Sequence, residues 1–357
     1  DLPELIDQMP GVFNQRTNRA AGAPILRGFV GPSNLLLVDG VRLNTAIFRT
    51  GPNQYAAMMD PLGLESVELV LGPGSVLYGS NAMGGVLHSI TRSVPREDGW
   101  TGTALSRFAS ADTATQGAVH LAGRKGNIMG WVGGSVRRHD DLRVGGGELL
   151  DRTGYLHLDW RGRVAVQLGD RWTLTNTYLG NDVGDGTRTD KITKGDLRFY
   201  GNTQHLVYSE LRRRGKRTLR DLRLTASFLR LEDRVERYSC ETGPGSAACL
   251  QLEDGVVTRK RNYDDAVNAM GLSTVGVLGW FQDKLRLTTG FDGRMEQISS
   301  ALIDAKSEDD FEPVEKDRGN FSTDSTYTTA DVFTVLEGLV WSSPGLMDVR
   351  ATGGLRA

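Results

Sequence analysis

The sequence predicts a mainly β protein: a transmembrane antiparallel β-barrel preceded by a mixed α/β unit. Three observations predict it. Segments beyond about residue 101 alternate apolar and polar side chains with a period of two. Short and long connections between those segments follow one another in turn. No run of ~20 apolar residues is available for a membrane helix, whereas barrel strands need show only half their residues to lipid.

Residues 1–95 have a different texture, mixing short strands, short helical stretches and glycine turns. Ile25-Leu26-Arg27-Gly28-Phe29 comes first. The apolar run Leu35–Val38 follows, then Asp39-Gly40, then Val41–Leu43. Asp-Gly between two apolar runs signals a tight hairpin, because positive φ is easiest at glycine. Val67, Leu69 and Leu71 then alternate along a strand that runs into Gly72-Pro73-Gly74-Ser75. A phosphate-loop reading of that turn fails: position 77 is Leu, and no Gly-Lys-Ser/Thr follows. Tyr78-Gly79, Gly84-Gly85 and a second strand complete the unit.

Eleven strands are drawn after it, near 102–109, 113–122, 128–138, 154–168, 171–180, 203–212, 218–231, 267–280, 284–297, 327–341 and 346–356. Tyr155–Leu168 is the clearest. Leu156, Leu158, Trp160, Val164, Val166 and Leu168 share one parity; Tyr155, His157, Asp159, Arg161, Arg163 and Gln167 share the other. Side chains alternate faces along a strand, so one face is apolar and the other mostly polar. A soluble sandwich could alternate likewise. The connections discriminate better: 123–127, 169–170, 213–217, 281–283 and 342–345 are tight, whereas 139–153, 181–202, 232–266 and 298–326 are long. Short turns at one end and long loops at the other are the layout of an outer-membrane barrel. Trp131, Trp160, Trp172, Tyr178, Trp280 and Trp341 fall on strands, mostly near their ends, as interfacial aromatics do. The alternative for each is an ordinary core aromatic.

Cys240 and Cys249 are the only cysteines, in one polar stretch with Gly243, Pro244 and Gly245 between them. A pair closing a small loop suits an oxidising compartment, so a disulfide is expected rather than two free thiols. Net charge is −2, which gives no hint of a nucleic-acid partner. Catalysis finds no foothold. His88, His120, His139, His157 and His205 are scattered, and no hydrolase, zinc or redox motif is present. His139-Asp140-Asp141 is a poor metal cluster, because neighbours on an extended chain point apart. No metal site is expected.

The segments ILRGF (25–29), LLLVDGVRLN (35–44) and ESVELVLGPGSVLYGSNAMGGVLHSIT (65–91) together resemble the plug domain of TonB-dependent outer-membrane receptors. Its pattern is an IRG, then a VDGV, then a VEVxRGPxSxLYGxxAxGGVI. The matching residues include Arg27, Gly28, Asp39, Gly40, Glu68, Gly72, Pro73, Tyr78, Gly79, Gly84 and Gly85. Leu71 departs from the pattern, standing where the family usually has Arg. The resemblance implies a plug over 1–98, lacking its first strand and TonB-contact box, and a barrel over 99–357. The family's barrel has about twenty-two strands, so half of it would lie beyond the chain. Arg27 would belong to a charged cluster holding plug against wall.

The function implied is active import of an iron-containing ligand, haem or a ferric siderophore, and not catalysis. The localisation implied is the outer membrane of a Gram-negative bacterium. Expected partners are TonB with its inner-membrane complex, the ligand and outer-membrane lipid; no nucleic acid is expected, and a monomer is. No permanently bound cofactor is expected. Stretches 137–155 and 177–191 further resemble the haem and haemoglobin receptor branch, keeping Arg188-Thr189-Asp190 without the usual proline. The plug apex would present Asn44, Phe48, Arg49, Asn53 and Tyr55 to ligand, with His139 offered from a long loop. A receptor for a non-iron nutrient such as a cobalamin is the alternative within the family. A passive porin or adhesin, or a soluble β-rich binding protein, is the alternative outside it.

Overall fold

The structure is a computed structural model that describes residues 2–17, 20–49, 54–72, 74–110, 113–143, 145–241, 249, 251–252, 256–316, 318–343 and 347–357. The N-terminal body opens with helix α1 (Leu2–Ile6) and the antiparallel pair β1 (Val12–Gln15) and β2 (Ala23–Leu26). A four-stranded sheet follows, from β3 (Asn34–Val38), β4 (Val41–Arg42), β5 (Leu64–Leu71) and β6 (Gly85–Thr91), in the order β4-β3-β6-β5. The short helix α2 (Ser75–Tyr78) lies between β5 and β6. Strand β3 runs parallel to β6 and is buried along its whole length. That burial is why it reads as an unbroken apolar run rather than an alternation. Asp39 (φ 48°) and Gly40 (φ 87°) close the two-residue hairpin between β3 and β4, as the sequence predicts. Positive φ at both positions is the type I′ geometry. Gly84 and Gly85 are demanded by close approach: a Cβ on either would lie 2.6 Å from a backbone oxygen, Leu26 O or Val70 O.

The rest is one antiparallel meander. Its strands are β7 (Gly99–Ala109), β8 (Ala114–Lys125), β9 (Ile128–His139), β12 (Tyr155–Leu168), β13 (Trp172–Thr187), β14 (Asp196–Arg214), β15 (Leu219–Cys240), β16 (Val257–Trp280), β17 (Leu285–Lys306), β19 (Ser325–Ser343) and β20 (Met347–Arg356). The small strands β10 (Leu142–Arg143) and β11 (Leu149–Leu150) pair within a long connection, and β18 (Val314–Lys316) pairs with β17. Every strand drawn from the sequence is present, but several are longer. The fifth continues from 180 to 187, the seventh from 231 to 240 and the ninth from 297 to 306; the sixth starts at 196 and the eighth at 257. The long connections shrink accordingly. In these extensions the outward face turns charged, with Arg230, Glu232, Arg234 and Asp264 linked by hydrogen bonds and ion pairs. The apolar alternation stops there while the backbone ladder continues, since ladder bonds need no apolar face.

On β12, Leu156, Val164 and Leu168 are exposed on the outward face, whereas His157, Arg161 and Ala165 are buried on the inward one. Inward residues of several strands share one core with the N-terminal body, including Trp131, Leu179, Leu206, Leu231 and Val267 with Leu36, Ile47 and Met58. Trp131 is therefore no interfacial aromatic. It is 4% exposed, and its indole N–H donates to Arg92 O of the N-terminal segment at 2.7 Å. Trp160 does lie on the outward face, where its indole donates to the Tyr178 hydroxyl at 2.8 Å. Among the described residues no helix is long and apolar enough to cross a membrane.

Candidate functional site

Three carboxylate-centred contacts are prominent among those that fasten the N-terminal body to the concave wall. The first is centred on Asp39 in the β3–β4 turn. Arg163 Nη2 donates to Asp39 Oδ2 at 2.5 Å, and the Tyr208 hydroxyl donates to the same oxygen. Thr91 N–H (3.0 Å) and Oγ1 (2.6 Å) donate from β6. Arg163 also stacks over the Trp131 ring at 5.5 Å and donates to Arg92 O. Burial alone would raise the Asp39 carboxyl; Arg163, Thr91 and Tyr208 outweigh it and hold the pKa below the ordinary value. The hairpin turn thus doubles as an anchor.

The second contact is Asp60. Its carboxylate caps a 3-10 turn through Leu62 N–H at 3.2 Å and accepts from Ser135 Oγ at 2.5 Å. Arg161 and Arg137 lie 3.3 and 3.7 Å away. Burial opposes ionisation, but the Ser135 hydroxyl and the two guanidiniums hold the carboxyl below its usual range. The third is Arg49, whose Nη2 meets Asp233 Oδ2 of β15 at 2.5 Å. The Tyr55 hydroxyl donates to the same oxygen at 2.9 Å, and Tyr55 stacks flat on Phe48 with centroids 4.0 Å apart. Burial, then the neighbouring Asp233 carboxylate, pushes the Tyr55 phenol well above its ordinary value.

The predicted ligand residues are therefore partly brought together. Phe48, Arg49 and Tyr55 form one unit. Asn44 does not join it: its Oδ1 accepts Leu36 N–H at 2.7 Å and its Nδ2 donates to Asn34 O at 2.9 Å. It clasps the backbone beneath the surface, with no polar atom left to offer a ligand. Asn53 lies outside the described residues. His139 is the last residue of β9 rather than part of a loop, and it stacks on Tyr155 at 4.4 Å. It borders a cleft of about 630 Å³ with Asp140, Asp141 and Arg143. Among the described residues no three His, Cys, Asp or Glu side chains are grouped to hold a metal ion.

The motif residues serve the body's own architecture. Arg27 (φ 51°) is exposed and makes no ion pair among the described residues, so the plug–wall charges are carried by Asp39, Asp60 and Arg49 instead. Gly28 (φ 84°), Gly72 (φ 123°) and Gly79 (φ 87°) occupy left-handed or related backbone that favours glycine. Arg42 Nη2 donates to Tyr78 O at 3.2 Å, and its Nη1 reaches Ser80 and Asn81, tying the hairpin to the segment after α2. Glu68 stands 3.7 Å from His88, whose Nε2 accepts Gly40 N–H at 3.0 Å. Pro73 lies outside the described residues. Cys240 and Cys249 form the expected disulfide, with Cα atoms 5.9 Å apart, packed against Leu197.

The family model described as TonB-dependent Receptor Plug Domain matches residues 1–86. Residues 1–86 thus form a plug domain of the kind found in TonB-dependent receptors. A Vitamin B12 transporter BtuB of Vibrio vulnificus is 32% identical over 136 residues, 37% of this chain and 22% of the relative. A Hemin receptor of Yersinia pestis is 36% identical over 85 residues, 24% of this chain and 12% of the relative. Among solved structures, the Copper transporter OprC superposes with a TM-score of 0.78 at 16% identity, covering 100% of this chain and 52% of that one. The FrpB iron transporter from Neisseria meningitidis gives 0.70 at 17% identity, covering 100% and 54%. The chain thus spans about half the length of these solved receptors, and its matches span less of the curated relatives. The sheet has the fold of the barrel wall in these receptors, the N-terminal body is a plug domain of their kind, and the compartment is the Gram-negative outer membrane.

Proposed function

We propose that this receptor imports a bulky iron-containing ligand, haem or a ferric siderophore, coupled to TonB, and performs no chemistry on it. The observation that carries the reading is Arg49, a partly exposed guanidinium held by Asp233 and seated on the buried Phe48–Tyr55 stack. A guanidinium favours the carboxylate, catecholate or hydroxamate oxygens of an iron ligand. An anionic group reaching Arg49 competes directly with Asp233, so binding at the apex loosens one of the charged plug–wall contacts. His139 is assigned to the same side, its imidazole a candidate iron ligand. Relatives named for iron and haem support this reading.

A cobalamin is the second reading, favoured by the BtuB relatives, one of which aligns over 50% of this chain. The experiment is equilibrium binding by the full-length receptor to haem, a ferric catecholate, a ferric hydroxamate and cyanocobalamin. Binding of an iron ligand that weakens in Arg49→Ala carries the proposal. Binding of cobalamin alone, or iron-ligand binding indifferent to Arg49→Ala, overturns it.

A further inference from the structure

A cavity of about 770 Å³ opens between plug and wall at the end where the short turns lie, well away from the apex. Short turns face the periplasm in such barrels. Seven arginines and three carboxylates line it. Arg163 is spent on Asp39 at 2.5 Å, and Arg124 lies 3.5 Å from Asp98. Arg212 and Arg223 share the single carboxylate of Asp221, at 2.9 and 3.0 Å. Arg96, Arg171 and Arg214 make no ion pair among the described residues. Adding the paired Asp98, Asp221 and Glu68 to the three lining carboxylates makes six against seven guanidiniums, an excess of one positive charge.

The three uncommitted arginines come from separate places. Arg96 is in the segment leaving the plug, Arg171 is in the turn between β12 and β13, and Arg214 ends β14. They converge on one concave space from both bodies. A cleft lined by one sign of charge concentrates counter-ions, and guanidinium groups match carboxylate and phosphate oxygens bidentately. Neither the plug–wall contacts nor the apex uses these three groups.

We infer that this vestibule is a second, periplasmic-side binding site for an organic anion bearing two or more carboxylate or phosphate groups. It retains such an anion between passage of the plug and release into the periplasm. The site is independent of the ligand assigned to the apex, so its test does not depend on that reading. Isothermal titration of the full-length receptor in detergent, with citrate and with pyrophosphate at low salt, provides the measurement. At least one anion should bind, and binding should weaken as salt is raised, because these charges are partly exposed. The better of the two identifies the oxyanion. The combined change Arg96→Gln, Arg171→Gln and Arg214→Gln should weaken binding about tenfold or more, as expected for loss of charged hydrogen bonds. Arg138→Gln, on the outward face, should leave it unaltered. If the combined variant fails to fold, Arg171→Gln alone serves, since that turn residue is exposed. Absence of binding by the wild type, or equal binding by a folded vestibule variant, overturns the inference.

Discussion

At the scale of single residues, Asp39 holds the most concentrated set of contacts. One carboxylate shapes a hairpin, receives two bonds from β6 and accepts from Arg163 and Tyr208 of the wall. Asp39→Asn separates these roles, because Asn tolerates φ > 0 as well as Asp and keeps the turn. It removes the charge and leaves the half-buried Arg163 without its counter-charge. We predict a loss of roughly 3 kcal/mol in plug–wall stability, read by urea titration of the full-length protein; an unshifted midpoint would remove Asp39 as an anchor. His88 supplies a pH dependence. Burial holds its imidazole below the ordinary value despite Glu68 and Asp39. In the unfolded chain it titrates near ~6.5. Protons below that pH therefore favour the unfolded state, so its contribution is complete above about pH 6.5 and is lost as the pH falls. Melting of the wild type between pH 7.5 and 5.5, in ~1 unit steps, should decline more steeply than that of His88→Gln. Parallel declines would dismiss the histidine. The sequence revealed Asp39 only as a turn residue, because its partner Arg163 lies 124 positions away and no local pattern encodes such a meeting.

Among elements, β12 is the clearest case of a pattern becoming a surface. Its outward Val164 is 52% exposed, while inward Arg161 is 5% exposed against Asp60. Val164→Arg should cost about 2–4 kcal/mol if that face meets the bilayer midplane, and Gln167→Arg far less. Refolding equilibria into lipid vesicles measure both, and equal costs would deny the lipid contact. Strand number and order were legible because alternation and turn chemistry are both local. Strand ends were not: beyond Phe228 or Met270 the outward face becomes polar while pairing runs on to Cys240 and back to Val257. The inward placement of Trp131 was likewise hidden, since aromatic identity says nothing about parity; its register with Arg163 would have settled it. The apex was half legible. Motif order brought Phe48, Arg49 and Tyr55 forward, but nothing near Asn44 signalled that its amide is consumed by Leu36 and Asn34.

On the scale of the whole molecule, plug and wall meet through contacts of both polarities, with carboxylates offered by the plug at Asp39 and Asp60 and by the wall at Asp233. Such an interface can be wetted and re-formed more easily than an apolar one. Reversing one pair, Arg49→Asp with Asp233→Arg, should recover plug retention lost in either single variant, read by protease protection of the plug; no recovery would mean the pair is incidental. The disulfide has a consequence in time rather than space. Cys240 and Cys249 are nine positions apart, so the ring can close on a nascent segment long before β15 finds β14 or β16. Oxidation takes place in the periplasm, whereas the finished ring sits at the opposite end from the short turns. The knot is therefore tied on one side of the membrane and displayed on the other, so the order of manufacture runs oxidation first, sheet second. A strain lacking its periplasmic thiol oxidase should deliver receptor to the outer membrane with both thiols open to alkylation at the cell surface, while the barrel itself still assembles.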